Sequence, residues 1–365
     1  MSEQTTLTAS QRASLFANAT RQNMQMLPTQ TATSGATTLN FSLPKARLLS
    51  KILLDVVAEI KVTHATAKTL PSFDVFTAYK LLRRVSLDLN NGFSPFVVGG
   101  KELAMYNLVH RGNMNYMNAP FTNSSDDATA DTNAFGYWLN KGASAEGKVN
   151  KVRFTVELPV SINDRDPVSL ILLQNEQTNV NLILDIANGA DMFDNTSGYT
   201  IEIQNVKATP MVETFSVPAS ANCFPDLSIL KLVNSRNDAF VGGGQHIAKL
   251  STGTIYRKLI FRITDENGNP LADDDIMSDI SLVFNQADSN YNINPHLLRM
   301  LNTTQYGFTL PKGMFVLDFA YQGIVGMSGS RDYIDTERLT EMWLRFSTKD
   351  SVRVELVTET LARLA

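Results

Sequence analysis

From Val152 onward the chain alternates apolar and polar residues with a period of two, and that pattern commits it to β-structure. In KVRFTVELPV (151–160), Val152, Phe154, Val156, Leu158 and Val160 point one way and Arg153, Thr155 and Glu157 the other. Val180, Leu182, Leu184 and Ile186 repeat the pattern, as do Tyr199, Ile201 and Ile203. RKLIFRIT (257–264), DISLVF (279–284), MFVLDF (314–319), EMWLRF (341–346) and VRVELV (352–357) continue it. Upstream, Tyr79, Leu81, Val85, Leu87 and Leu89 alternate with Lys80, Arg84 and Asp88. Turn-forming clusters separate these short strands, including Asn-Asp-Arg-Asp-Pro at 163–167 and Glu-Asn-Gly-Asn-Pro at 266–270. Such spacing indicates an all-β sandwich or barrel. Two eight-stranded units would use about 90 strand residues, which a chain of 365 residues accommodates with large loops to spare. The natural divide is the proline-bearing stretch 205–225. In the second half a helix is expected after Asn294, an N-cap followed by Pro295 at the first helical position.

The first 54 residues differ from the rest. Glu3 is their only acid, against Arg12, Arg21, Lys45, Arg47 and Lys51. Thr8 and Gln11 form a capping-box signal for a helix over residues 9–26, on which Phe16, Leu15, Ala19, Met26 and Leu27 make one docking stripe. Arg12 lies inside that stripe and Arg21 on the far side. Residues 28–44 carry no charge and are interrupted by Pro28, Gly35 and Pro44, which suits an extended arm laid across other surfaces. The segment 45–64 reads two ways. Leu49, Ile52, Leu53, Val56, Val57 and Ile60 recur at helical spacing, whereas its Ile and Val content favours a strand. Residues 110–150 show no sustained periodicity and read as a long exposed loop.

Hydrophobic residues make up 43% of the chain, enough to bury a core, so disorder is not its main state. A formal charge of −4 argues against a free-standing nucleic-acid binder. The lone cysteine, Cys223, rules out an intrachain disulfide scaffold. No apolar run approaches the roughly 20 residues of a membrane-spanning helix, and MSEQTTLTAS has neither the basic nor the apolar region of a secretory signal. Motifs for chemistry fail on inspection. VVGGKE (97–102) has Pro95 where a phosphate loop needs its first Gly and Glu102 where it needs Ser or Thr. GMSGS (326–330) ends in Ser330 where a nucleophile elbow needs Gly. VGGGQ (241–245) reads as a turn. His64, His110, His246 and His296 stand far apart and read as loop or surface residues. Asp265, Glu266, Asp273, Asp274 and Asp275 are hard-cation ligand types, but their spacing is not that of an EF-hand and a solvated turn is expected. No catalytic residue, cofactor or metal ligand is assigned.

With these blocks in this order, the chain resembles the major capsid proteins of tectiviruses, tailless bacterial viruses with an internal membrane. LTASQRASLFANATRQNMQM is similar to that family's N-terminal helix, and KVTHATAKTLPSFDVFTAYKLLRRVSLDLNN to the first strands of its first barrel. KVRFTVELPVSINDRDPVSLILLQNEQTNVNLILDIAN looks like its strand–loop–strand block, and LPKGMFVLDFA (310–320) like its Pro-Lys-Gly step into a strand of the second barrel. Length and loops look more like the branch infecting Gram-positive hosts. The resemblance implies two tandem eight-stranded jelly rolls: helix and arm over 1–44, a first jelly roll over 45–215 and a second over 216–365. It implies a non-enzymatic coat protein that forms homotrimers with a pseudo-hexagonal outline and tiles an icosahedral shell in the virion, after synthesis in the host cytoplasm. Its implied partners are neighbouring trimers, minor capsid and vertex proteins, and the viral membrane, with no sequence-specific nucleic acid. Arg12, Leu15, Phe16 and Arg21 would face the membrane or the underside of the shell. A receptor-binding spike and a double jelly-roll glycan hydrolase are the competing readings. The hydrolase would need acids converging on a cleft between the barrels.

Overall fold

The computed structural model describes residues 8–71, 74–90, 92–111, 121–122, 137–139, 141–162, 168–174, 179–194, 196–285, 288–321 and 334–363. The GMSGS segment, the 163–167 turn and most of 110–150 lie outside the described residues. Helix α1 (Ala9–Ala19) leads into β1 (Gln22–Met26), β2 (Gln30–Ala32), β3 (Thr38–Ser42) and the long β4 (Leu48–His64). Next come β5 (Leu82–Leu89), β6 (Phe93–Val98), helix α2 (Gly100–Arg111), β7 (Phe121–Thr122) and β8 (Tyr137–Leu139). β9 (Lys148–Pro159), β10 (Ile171–Leu172), β11 (Val180–Ile186) and β12 (Tyr199–Phe215) complete the first half. The second half runs β13 (Ile229–Phe240), β14 (Gly244–Leu250), β15 (Ile255–Asp265), β16 (Ile280–Phe284), β17 (Asp288–Ile293) and helix α3 (Pro295–Tyr306). It ends with β18 (Met314–Asp318), β19 (Ile334–Asp335), β20 (Met342–Thr348) and β21 (Val352–Arg363).

Both halves thread their strands alike. The sheet orders β1-β12-β4-β9 and β13-β21-β15-β18 correspond strand for strand, as do β3-β11-β5-β6 and β14-β20-β16-β17. A helix follows β6 in one half and β17 in the other. In each half the two sheets bury their inward faces in a shared core. Leu54, Val56 and Phe154 meet Leu87, Leu182 and Leu184 in the first, and Phe261, Phe315 and Val354 meet Leu282, Leu344 and Phe346 in the second. The barrels are not separate beads. β6 runs parallel to β13, pairing Phe96 with Val233 and Val97 with Asn234, so one sheet passes from the first barrel into the second.

The ambiguous segment is a strand. Ile52, Leu54, Val56, Ala58, Ile60 and Val62 of β4 are fully buried on one face, while Lys51, Leu53, Asp55, Val57, Glu59 and Lys61 alternate on the other. Its helical signal came from Leu53 and Val57, apolar residues on the outer face that interleave with the buried set. Ladders to β9 and β12 on both sides supply the backbone partners that a lone helix would have supplied internally.

The amino-terminal expectation needs correcting in two places. The capping box forms, with Gln11 N–H donating to Thr8 Oγ1 and Thr8 N–H to Gln11 Oε1. The helix, however, stops at Ala19 rather than running to residue 26, because Gln22–Met26 pairs antiparallel with Met211–Phe215 of β12. The arm is laid on its own barrel. β2 continues along β12, and β3 crosses to the opposite sheet to pair with β11, so this stretch supplies two strands of the first barrel. The expected strand from Tyr79 starts only at Leu82, since Thr77–Leu81 is a 3₁₀ turn. α3 forms as expected, with Asn294 Oδ1 accepting from His296 N–H and Gly307 closing the helix at φ 74°.

Among the described residues, removing residues 1–19 deletes α1, the burial of Phe16 and the exposed Arg12–Asp226 pair, and should cost about 1.5–3 kcal/mol while leaving a cooperative melt. Removing residues 1–42 strips the edges of both sheets of the first barrel and should yield aggregated protein. Circular dichroism melts and sedimentation of the two truncations check this.

Candidate assembly surfaces

α2 was not visible in the sequence, and it is the element that joins the barrels. Its residues from Gly100 to Val109 are all buried, including Lys101, Glu102 and Asn107. The Gly-Gly pair that imitates a phosphate loop serves packing instead: a Cβ on Gly100 would meet the Tyr79 carbonyl oxygen at 2.3 Å. On one side Asn107 bonds the backbone of β9, donating to Glu157 O and accepting from Glu157 N–H, each at 2.7 Å. On the other side α2 meets the outward face of the second barrel, where alternation places Lys258 and Arg262 away from that barrel's own core and a β-bulge between Tyr256 and Lys258 turns Arg257 to the same side.

Each of these cations is matched. Arg257 Nε donates to Glu359 at 3.1 Å, Lys258 Nζ lies 3.2 Å from Asp318, and Arg262 reaches Asp74 of the first barrel at 2.7 Å. Lys101 of α2 crosses the seam to Glu355 at 2.6 Å, and the Tyr106 hydroxyl donates to Glu359. Lys231 Nζ donates to the Ser161 carbonyl at 2.5 Å, a further link between halves. Burial would raise the Glu359 carboxyl, but the surrounding Lys258, Lys231 and Arg257 charges outweigh it and hold it at about 2. His110, stacked on Tyr106 with ring centroids 5.8 Å apart, is pushed well below the usual imidazole range by burial and by Lys231 and Lys258. Glu102 moves the other way, raised by burial and by the neighbouring Glu355 charge.

A cleft of about 480 Å³ opens beside this seam, lined by Lys80, Arg83, Lys101, Glu102, Asp194 and Glu355. Its acids are largely occupied. Asp194 takes Lys80 on both oxygens at 2.8 and 2.7 Å, and Glu355 takes Lys101. Glu355 is held across the seam and Asp194 within the first barrel.

The amino-terminal candidates separate. Phe16 points into the protein, buried among Leu48 and Leu170 with its ring edge-on to Phe215 at 5.4 Å. Arg12 lies 3.7 Å from Asp226, while Leu15 is exposed. The Arg21 side chain is exposed, and its backbone bonds Ser216 in both directions at 2.9 Å. Of the four, only Leu15 and Arg21 remain directed outward and unengaged by the barrel. No helix among the described residues is long and apolar enough to cross a membrane.

Two of the four histidines depart from the surface reading, while His296 is 60% exposed and His64 lies at the partly exposed end of β4. His246 is buried in the second barrel, 2.7 Å from Thr348 Oγ1, and His110 lies in the seam. The acidic turn is closed from within. Arg299 of α3 grips both oxygens of Asp273, and His296 lies 2.8 Å from Asp274. Asp265 accepts the backbone N–H groups of Asn267 and Asn269 in its own turn. Among the described residues, no group of three or more His, Cys, Asp or Glu side chains is placed to hold a metal ion.

Comparison with solved structures places this architecture. The chain aligns over 94% of its length with 97% of the Sulfolobus turreted icosahedral virus major capsid protein, at TM-score 0.66 and 14% identity. It aligns over 94% with 95% of a PBCV-1 virus capsid chain at TM-score 0.63 and 11% identity. Major capsid protein P2 of bacteriophage PM2 matches 94% of this chain over 98% of its own, at TM-score 0.52 and 10% identity. The fold is a double jelly roll. No protein-family model and no curated relative matches the sequence.

The seam makes the double jelly roll acid-sensitive in stages. A histidine or carboxyl whose folded pKa is depressed contributes stability above its unfolded value and loses it as pH falls. His110 therefore withdraws support below about pH 6.5, and Glu359 between about pH 4.5 and 2, the latter worth about 3 kcal/mol. Glu102, being raised, contributes in the opposite sense. Glu359→Gln should cost about 3–5 kcal/mol at neutral pH, because three cations lose their shared anion, and should flatten the decline below pH 4.5 in denaturant melts taken across pH.

Proposed function

We propose that this chain is the major capsid protein of an icosahedral virus, a structural coat protein with no catalytic role. The observation that carries the reading is the fused pair of like-threaded barrels, matched along nearly the whole of this chain and of capsid proteins of three separate viruses. Two similar barrels per chain let three chains occupy a six-sided outline, and heterologous head-to-tail contacts close such a ring. Trimers of that outline would tile the shell of the virion beside neighbouring trimers and minor and vertex proteins. Chains made and assembled in the host cytoplasm would meet no secretory step. The placement among tectiviruses rests on the quoted sequence blocks, above all LPKGMFVLDFA and KVRFTVELPV.

The mild net charge of −4 supports packing of many copies with little repulsion. A membrane beneath the shell would meet this end of the chain through Leu15 of α1 and Arg21 just beyond it, since Phe16 is spent on docking and Arg12 on Asp226. A single arginine near an anionic leaflet contributes about 1 kcal/mol, so this contact depends on three copies per ring and many rings per shell.

Negative-stain images of the purified protein should show flat trimers with a hexagonal outline. Stable monomers with measurable glycan turnover would overturn the reading. For the membrane contact, Arg21→Glu should reduce sedimentation of trimers with phosphatidylserine vesicles. Unchanged sedimentation would leave the amino-terminal segment with a docking role only.

A further inference from the structure

The two helices that follow β6 and β17 are held by the same device. Asn302 of α3 donates to Val316 O at 2.8 Å and accepts from Val316 N–H at 3.0 Å, as Asn107 of α2 does with Glu157. This sets the register between the helices: Glu102, Met105 and Tyr106 correspond to Leu297, Met300 and Leu301. In α2 those positions are buried in the seam, and Tyr106 bonds the second barrel. In α3 they are 56%, 62% and 42% exposed, an apolar stripe on the side away from its own barrel.

The sheet faces correspond as well. On the second barrel, the face under α2 sets Lys258 opposite Glu359 and Ile260 opposite Val357. The first barrel repeats this on its outer face, with Lys51 opposite Glu213 and Leu53 opposite Met211. Lys51 and Glu213 are 3.3 Å apart. Ile260 and Val357 are sealed by the seam, whereas Leu53, Val57 and Met211 are only half-buried. Sheet edges follow suit. β6 joins β13 inside the chain, while their counterparts β17 and β1 each end a sheet among the described residues.

We infer that the Leu297–Met300–Leu301 stripe of α3 docks on the Leu53–Val57–Met211 face of the first barrel of a second copy of this chain. The contact repeats between chains the seam that α2 makes within one, with apolar side chains replacing the ionic network. It rests on the trimeric coat reading and assigns that trimer its interface. An interface between chains that first fold separately suits the exchange of charge for apolar area, since no unpaired cation is left bare beforehand.

The test uses the full chain. Leu301→Glu and Met300→Glu change side chains already exposed in the single chain, so melting temperature should hold while native mass falls from trimer to monomer. Association should weaken roughly a hundredfold or more. Val241→Glu, on the 94% exposed tip of the β13–β14 turn, should leave the trimer intact. In a Cys223→Ser background, Leu301→Cys with Met211→Cys should give oxidised chains linked across copies. Trimers of undiminished strength in both glutamate variants, or no link between the cysteines, overturn this interface and leave the coat reading standing. A wild-type chain that stays monomeric at all concentrations overturns both.

Discussion

Three cations on the outward face of a single strand, Arg257, Lys258 and Arg262, set the terms for the rest of the molecule. Placed outside the second barrel's core, they would face water in an isolated barrel. Covering them with a helix strips that water away, and a buried charge is tolerated only when partnered. The partners come from both halves: Glu359 and Asp318 from the second barrel, Asp74 from the first. The pairs that cross, Arg262 with Asp74 and Lys101 with Glu355, tie one barrel to the other, while the rest neutralise the face that α2 covers. Apolar contact among Ile260, Val316, Val357 and the α2 side supplies the burial, and the charges supply the register.

This division of labour explains why the seam is polar at all. A purely apolar joint between two curved sheets could slide, whereas Lys101 with Glu355 and Lys231 with the Ser161 carbonyl each fix a point on either side. The parallel pairing of β6 with β13, at Phe96–Val233 and Val97–Asn234, joins the two strand edges between the barrels. Together these links leave the two barrels little freedom to shift against each other.

Much of the framework was legible in the alternation of polar and apolar residues. Strands with one wet and one dry face, such as β9 and β20, announce themselves. β4 was ambiguous because Leu53 and Val57 make its outer face apolar too, so two superposed period-2 patterns imitate a helical one. α2 was not legible, since Lys101, Glu102 and Asn107 look like surface residues until the second barrel is laid over them. Composition took residues 28–44 for an arm over other surfaces, whereas the available backbone edges of β12 and β11 claimed much of that stretch for the barrel. Capping signals at Thr8 and Asn294 were local and held, while the end of α1 depended on a strand almost 200 positions away in the chain. Of the candidate surface residues, Phe16 could be read as apolar and docking, but which side Arg12 would serve depended on Asp226.

The placement of β1 and β2 along β12 also orders events during synthesis. The first strands to leave the ribosome must wait for Tyr199–Phe215, which is translated last of all the first barrel's strands. At about 5–20 residues per second the wait lasts on the order of ten seconds or more. Throughout it an edge-competent, charge-poor segment is without its partner. Strand pairing with a neighbouring nascent chain on the same polysome competes with folding until Tyr199–Phe215 arrives and closes the loop.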